Sequence, residues 1–353
     1  MLDPKSPVAL YMPKNLVSPI AKMGHGVLRF LPNPVVAVID PEHAGRNTAE
    51  FNLPRAVPVV ATVEDAAAAG AKVLILGIAP LGGQIPAEWW PDLDRALELG
   101  ISLVNGLHDL LMWRYPHAPE PGIVDPSVPF VWDIRREPPG LVNGRGLAAT
   151  LKNRRALLIG TDMSVGKMTA GLELHAAAKA RGIRSEFVAT GQIGITVTGS
   201  GVALDAVRVD FASGAIEQEV LMVSDRGAEI VWVEGQGSLV HPSSTANLPL
   251  IRGSVPTDFV LCVRAGQRTL RFLDHIEIPP LRELIGLYEQ VAGMCGRYPI
   301  PATRAVAVNT AHLSDEAEAA DAIAQIAEET GLVAADPVRD PDGPNRLLDA
   351  MGL

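Results

Sequence analysis

Cysteine is nearly absent: the chain has two, Cys262 and Cys295, in 353 residues. Two thiols cannot staple a fold, which excludes a disulfide scaffold and fits a reducing compartment. Basic charge is also scarce. Lys plus Arg total 30 against 40 for Asp plus Glu, a formal net charge of −10, and the pI is near 5.3. That balance lacks the basic surface that nucleic acids or anionic membranes demand, so neither is expected as a partner. No apolar run approaches the roughly 20 residues of a membrane-spanning helix. The most apolar early stretch, Val73 to Ala79, is far shorter. The N-terminus shows no basic segment leading into a long apolar one, so the expected location is the cytoplasm. Zinc-type Cys/His spacing, a G-x-S-x-G elbow and a nucleophilic triad are missing too, so no metal site and no acyl-enzyme are expected.

What is present is material for a core. Hydrophobic residues make up 48% and charged residues 20%, which excludes a disordered chain. The length points to two domains. Short β-branched runs alternate with Ala- and Leu-rich segments nearly end to end. Strands are expected at Pro7–Met12, Val35–Asp40, Val57–Thr62, Lys72–Ala79 and Ile101–Asn105, with helices at Val63–Gly70 and Ala87–Gly100. The strands are apolar on both faces, as in a parallel sheet covered by helices. The segment His117–Pro139 is rich in proline and reads as extended connection rather than core. A second α/β series follows. Its strands are expected at Ala156–Ile159, Ser185–Ala189, Glu229–Val233, Phe259–Val263 and Ala305–Val308, its helices at Gly166–Arg181, Ala212–Ser224, Pro280–Cys295 and Asp315–Thr330.

The strongest chemical signal is Gly160-Thr161-Asp162-Met163-Ser164-Val165-Gly166-Lys167-Met168-Thr169, behind the apolar run Ala156–Ile159. Strand, glycine-framed turn and a helix starting at lysine are the parts of a phosphate cradle: converging backbone N–H groups, a helix N-terminus and a point charge. Five residues separate the two glycines, one more than the usual Walker spacing. The residue after the lysine is Met168, where a magnesium-binding loop has a hydroxyl. A thioether is a poor ligand for a hard cation. The loop thus suits a phosphate-bearing ligand that is held rather than cleaved.

The pattern Gly-Thr-Asp-x-x-Val-Gly-Lys resembles the dethiobiotin-synthetase branch of P-loop proteins. Val231-Trp-Val-Glu234-Gly-Gln-Gly237 is similar to that branch's second signature, in which the Glu faces bound metal. The resemblance also implies an adenine-contacting role for Asn309. A narrower resemblance joins the loop with Thr190-Gly-Gln192-Ile-Gly194, Asp205–Glu217 and Glu234-Gly-Gln236-Gly237-Ser238-Leu-Val-His241. These segments resemble a bacterial and archaeal family of P-loop domains with a Rossmann-like N-terminal domain, whose characterised members are D-glutamate N-acetyltransferases using acetyl-CoA. The implied fold is α/β, with a Rossmann-like parallel-sheet domain over residues 1–145 and a P-loop NTPase-like domain over 146–353. The implied activity is direct acetyl transfer from acetyl-CoA to an acidic amino acid. The 3′-phospho-ADP end of coenzyme A would occupy the loop at Gly160–Thr169.

Acetyl transfer needs a proton acceptor and donors for a developing oxyanion. His241 lies at the C-terminal side of a predicted central strand, where open α/β sheets place ligands, and imidazole titrates near neutral pH. It is the candidate base, with Glu234 and Asp210 as candidate carboxylates; Asp210 also reads as a helix N-cap. Gln192, Gln236, Gly237 and Ser238 are candidate substrate contacts. Arg252, Arg264 and Arg268 are candidate forks for the two carboxylates of glutamate. In the N-terminal domain His108 is a weaker candidate, and no G-x-G-x-x-G follows Pro7–Met12, which counts against an NAD site. An ATP-Mg-dependent ligase or kinase and a non-catalytic nucleotide-sensing module are the alternative classes. A homo-oligomer is expected on general grounds.

Overall fold

The computed structural model describes residues 2–122, 128–293 and 298–353. Residues 123–127 of the proline-rich stretch, and Cys295 with the end of its expected helix, lie outside the described residues. The chain divides into two compact units, one of Met1–Glu137 with Gly191–Ala206, the other of Pro138–Thr190 with Val207–Leu353. The boundary expected at residue 145 therefore falls inside the second unit. The reason is a buried carboxylate: Glu217 accepts from the backbone N–H groups of Arg145 (2.9 Å) and Leu147 (2.7 Å), tying the linker to the second unit.

In the first unit β1 (Val8–Tyr11), α1 (Lys22–Phe30), β2 (Val35–Ile39), β3 (Val59–Val60), α2 (Val63–Ala68), β4 (Val73–Leu76), α3 (Trp90–Glu98), β5 (Ser102–Asn105) and β6 (Val131–Asp133) build a parallel sheet in the order β3-β2-β1-β4-β5-β6. This is the order of dinucleotide-binding sheets, whose ligands sit where the strand order reverses, here between β1 and β4. Protein fills that place. Met12, fully buried after β1, packs against Gly24 and Gly77; a Cβ on Gly24 would come 2.4 Å from its sulfur. Asp40, positioned as a ribose-binding acid would be, accepts from Lys14 N (2.9 Å), Glu42 N (3.2 Å), Leu16 N (3.3 Å) and His43 Nδ1 (2.8 Å). Those four bonds use the carboxylate's four acceptor positions. The proline-rich stretch, expected to be connection alone, contributes β6. Proline bars a central strand but tolerates an edge one. Asp133 secures it by accepting from Leu111 N and Met112 N.

The second unit opens with β7 (Arg154–Gly160), α4 (Lys167–Ala180) and β8 (Ser185–Val188). The chain then supplies α5 (Gln192–Thr198) to the first unit, where Ile193 meets Gly26 of α1 and the Arg135–Asp205 ion pair (2.8 Å) closes the segment. Next come α6 (Val209–Asp225), β9 (Ile230–Val233), α7 (Asn247–Ser254), β10 (Asp258–Arg264), the antiparallel pair β11 (Thr269–Leu270) and β12 (Leu273–Glu277), α8 (Leu281–Gly293), β13 (Ala302–Asn309), α9 (Glu316–Thr330), β14 (Val333–Ala335) and α10 (Gly343–Ala350). The main sheet is parallel, ordered β14-β13-β10-β7-β9-β8, with the loop-bearing β7 between β10 and β9. Helices α1, α5, α7 and α10 and strand β14 go beyond the sequence expectation. Glycines in α1 and threonines in α5 blur the helical pattern, and tertiary packing overrides that weak propensity.

Arg155 shows how tightly this unit is closed. Its guanidinium, 2% exposed, donates to the carbonyls of Ser254 (3.1 Å) and Val255 (2.9 Å) at the C-terminus of α7, where a cation meets the negative end of the helix dipole. A second buried polar link joins α4, β8 and β9. Trp232 Nε1–H donates to Ser185 Oγ (2.9 Å), and the same hydroxyl is hydrogen-bonded to His175 Nδ1 (2.8 Å). Burial and the neighbouring Lys179 lower the His175 pKa from 6.5 to about 4. The unfolded chain therefore binds a proton that the folded one refuses between those values. Stability is expected to be full above pH 6.5 and to fall by about 2–3 kcal/mol as pH drops toward 4. Chemical denaturation across that range should show the slope, and His175→Gln should flatten it.

Candidate functional site

The loop after β7 has the backbone of an anion cradle. Ser164 (φ 57°) and Gly166 (φ 108°) adopt left-handed conformations, which turn successive N–H groups inward before α4 starts at Lys167. The Lys167 ammonium is 6% exposed and donates to the Asp162 carbonyl (2.7 Å). Burial lowers its pKa from 10.5 to about 8, against the opposing pull of Cys262, Asp162 and Glu234. Cys262, beneath the loop, is pushed by burial up to about 12, so its thiol stays protonated at neutral pH. Met168 and Thr169 follow in the first turn of α4, both half-buried. Among the described residues no cluster of His, Cys, Asp or Glu is arranged to hold a metal ion.

The end of β9 meets the loop at extreme closeness. A Cβ on Gly235 would lie 1.6 Å from the Leu158 carbonyl oxygen and 3.0 Å from Lys167 Cδ. Only glycine fits there. Glu234 is buried and accepts from Thr190 N (2.8 Å), while Gln236 Nε2 donates to Thr190 Oγ1 (3.1 Å), so the ends of β8 and β9 form one polar patch. Gly237 (φ 62°) packs on Ser244, and the Ser238 N–H donates to Ser244 Oγ (3.2 Å). Tyr288, fully buried on α8, donates to the Gly160 carbonyl or to Asn247 Oδ1 (both 3.2 Å) and accepts from Leu239 N (3.0 Å). Tyr288 and Asn247 escaped sequence reasoning because no local pattern links them to the loop.

His241 is 4% exposed. Its Nδ1 accepts from the Ser243 N–H (3.1 Å), so in the neutral ring the proton sits on Nε2. Nε2 has no hydrogen-bond partner and stands 3.8 Å from Asp162 Oδ1, too far for a hydrogen bond. The geometry thus gives His241 a donor aimed beside the loop, whereas a proton acceptor was expected. A base would need Nε2 bare, and the Ser243 amide selects the other tautomer.

Asp162 connects the loop to the β11–β12 hairpin: its Oδ2 accepts from Gln267 Nε2 (2.6 Å) and from Arg271 N (2.7 Å). The hairpin turn is Arg271-Phe272. Phe272 has φ 67° in the position where such a turn favours glycine, costs about 1–2 kcal/mol, and yet exposes 84% of its surface. A pocket of about 390 Å³ lies between hairpin and loop, lined among others by Met163, Ser164, Arg264, Arg271, Asp274 and His312. A larger cleft of about 1310 Å³ adjoins it and includes Thr161, Arg264, Arg268 and His312.

The expected site residues divide accordingly. Gly160–Thr169, Glu234, Gln236, Gly237, Ser238 and His241 come together at the C-terminal ends of β7 and β9. Asn309 ends β13, with its Nδ2 3.5 Å from where a Cβ on Gly166 would lie. Arg264 lines both cavities and the exposed Arg268 the larger one. Arg252 is exposed in the last turn of α7 and lines neither. Asp210, expected as an N-cap before its helix, is the second residue of α6 and exposed; Arg208 holds the cap position. Gln192 starts α5 and belongs to the first unit, as does the exposed His108, whose ring packs on Gly83.

The chain matches the family model of the DUF1611_C P-loop domain over residues 142–348, the stretch that carries this loop, and that of the DUF1611_N Rossmann-like domain over residues 41–117. The chain belongs to the DUF1611 family. A crystal structure of a DUF1611 family protein from Anabaena variabilis is 47% identical, covers 99% of each chain and superposes with a TM-score of 0.89. A protein of Tritonibacter scottomollicae named D-glutamate N-acetyltransferase is 35% identical over 332 residues, 94% of each chain. One of the same name from a Pseudoalteromonas species is 35% identical over 279 residues, 78% of this chain and 80% of its own.

Two outcomes test the geometry of this DUF1611 site. Gly235→Ala should cost at least about 1–3 kcal/mol by forcing β7 and β9 apart, read as a lower midpoint in thermal unfolding together with weakened anion binding. Binding of ADP as a diphosphate probe should weaken as pH rises through about 8, where free Lys167 loses its charge. Above that pH the loss should approach about tenfold per unit, since the bound anion requires the proton back. Lys167→Met should abolish the dependence.

Proposed function

We propose that this DUF1611 protein is an acetyl-CoA-dependent N-acetyltransferase that converts D-glutamate to N-acetyl-D-glutamate by direct transfer. The observation that carries the reading is the similarity, over 94% of both chains, to a protein named D-glutamate N-acetyltransferase. The loop's chemistry agrees with it. A cradle of backbone N–H groups with a buried lysine grips phosphate, while Met168 in the hydroxyl position offers nothing to the magnesium ion that nucleotide cleavage requires. Coenzyme A carries phosphates that its reactions leave intact, so the fit favours acetyl-CoA over ATP-Mg.

In this reading Lys167 and the N–H groups of residues 164–167 bind the phosphate-bearing end. Asp162 holds the loop in register with the β11–β12 hairpin, and Glu234 keeps the ends of β8 and β9 together. His241 Nε2–H supplies one further donor to an anionic oxygen beside the loop. Acetyl-CoA would supply an activated acyl group: the glutamate amine would form the C–N bond as the C–S bond breaks, and the proton shed by the nitrogen would go to the departing thiolate, leaving free thiol. The protonated thiol of Cys262 is consistent with transfer in one step, without an acyl-cysteine.

Release of free coenzyme A thiol should be seen with acetyl-CoA and D-glutamate, and more slowly with L-glutamate or D-aspartate. ATP-Mg should yield no phosphate. If no acidic amino acid elicits thiol release, the assignment fails. Lys167→Ala should weaken acetyl-CoA binding by about ten- to a hundredfold, the worth of one or two charge-assisted hydrogen bonds, measured by calorimetric titration.

A further inference from the structure

The loop accounts for one anionic group, but the pocket beside it is cationic as well. Arg264, at the end of β10, and Arg271, at the hairpin turn, both line it, and neither forms an ion pair among the described residues. His312 lines it too, and its pKa is lowered by burial and by the charge of Arg264. Asp274 is the one carboxylate among the lining residues. In a chain with a formal net charge of −10, two guanidiniums that line one pocket without a carboxylate partner among the described residues mark an anion site. Its wall is continuous with the cradle, because Met163 and Ser164 line both. The hairpin is tied to the loop through Asp162, so cradle and pocket keep a set spacing.

Phe272 points the same way. It is a non-glycine residue held left-handed at an exposed turn, where its ring contact is the Arg271 guanidinium lying over it (4.7 Å to the centroid), and such strain gathers at ligand sites. Its ring and the Arg271 guanidinium stacked on it lie together at the rim of the pocket, a cationic aromatic surface suited to a phosphate-bearing planar base.

We propose that this pocket is a second phosphate site, which takes the 3′-phosphate of coenzyme A through Arg264 and Arg271 while the loop holds the diphosphate, with Phe272 against the base. The assignment rests on the acetyl-CoA reading and adds the means by which the protein tells coenzyme A from nucleotides lacking that phosphate. It also moves Arg264 from the amino-acid substrate, where the sequence put it, to the cosubstrate.

Coenzyme A and dephospho-coenzyme A differ only in that phosphate, so calorimetric titration of the full-length protein with each isolates it. The wild type should bind coenzyme A at least tenfold more tightly, with the preference shrinking as salt is raised. Arg264→Gln and Arg271→Gln should each remove several-fold of that preference and leave dephospho-coenzyme A affinity unchanged, which also reports that the loop remains folded. The double variant should bind the two equally. Phe272→Gly should raise the melting temperature and weaken both ligands. Equal binding of the two by the wild type, or equal weakening of both by the arginine variants, overturns the second site while leaving the acetyltransferase reading intact. Binding of neither ligand by the wild type overturns both.

Discussion

An ammonium removed from water governs the second unit. Lys167 is enclosed to 6% exposure, and a cation in that position is costly unless polar groups meet it on all sides. The Asp162 carbonyl and the carboxylates of Asp162 and Glu234 nearby answer that demand. Each is then committed. Asp162 anchors the hairpin, Glu234 binds the start of the segment after β8, and Gly235 must be glycine for β9 to approach β7. The cavities that flank the loop follow from this chain of commitments.

Both units keep the topology of nucleotide-binding sheets while altering the chemistry usually attached to it. In the first, the 3-2-1-4-5-6 strand order is intact, yet Met12 occupies the crossover and Asp40 spends its carboxylate on local N–H groups and His43. In the second, the phosphate cradle is intact and the metal-ligating hydroxyl is replaced by Met168. Topology is set by strand pairing and helix packing, which tolerate such replacements; the ligand is chosen by a handful of side chains at the strand ends. A fold-level likeness to nucleotide hydrolases therefore says little about turnover here.

The orientation of His241 carries a related lesson. A histidine after a central strand reads as a base from its titration range alone. Its role turns on one backbone amide, Ser243 N–H, which occupies Nδ1 and leaves Nε2 as the donor. No property of the imidazole in isolation reveals that choice.

The sequence by itself determined the α/β alternation, the loop at Gly160–Thr169 and the missing hydroxyl at position 168, because these depend on periodicity and on groups within a dozen residues of one another. Short elements flanked by proline or glycine, such as β6 and α5, blurred that signal, and so did the crossing of Gly191–Ala206 into the first unit. Only the tertiary structure decided which distant residues complete the site. Gln267 and Arg271 reach Asp162 from more than a hundred residues away, and Tyr288 reaches Gly160 from still further. The sheet order that lays β10 beside β7 brings them there, and strand order is settled by the packing of whole elements rather than by any local pattern.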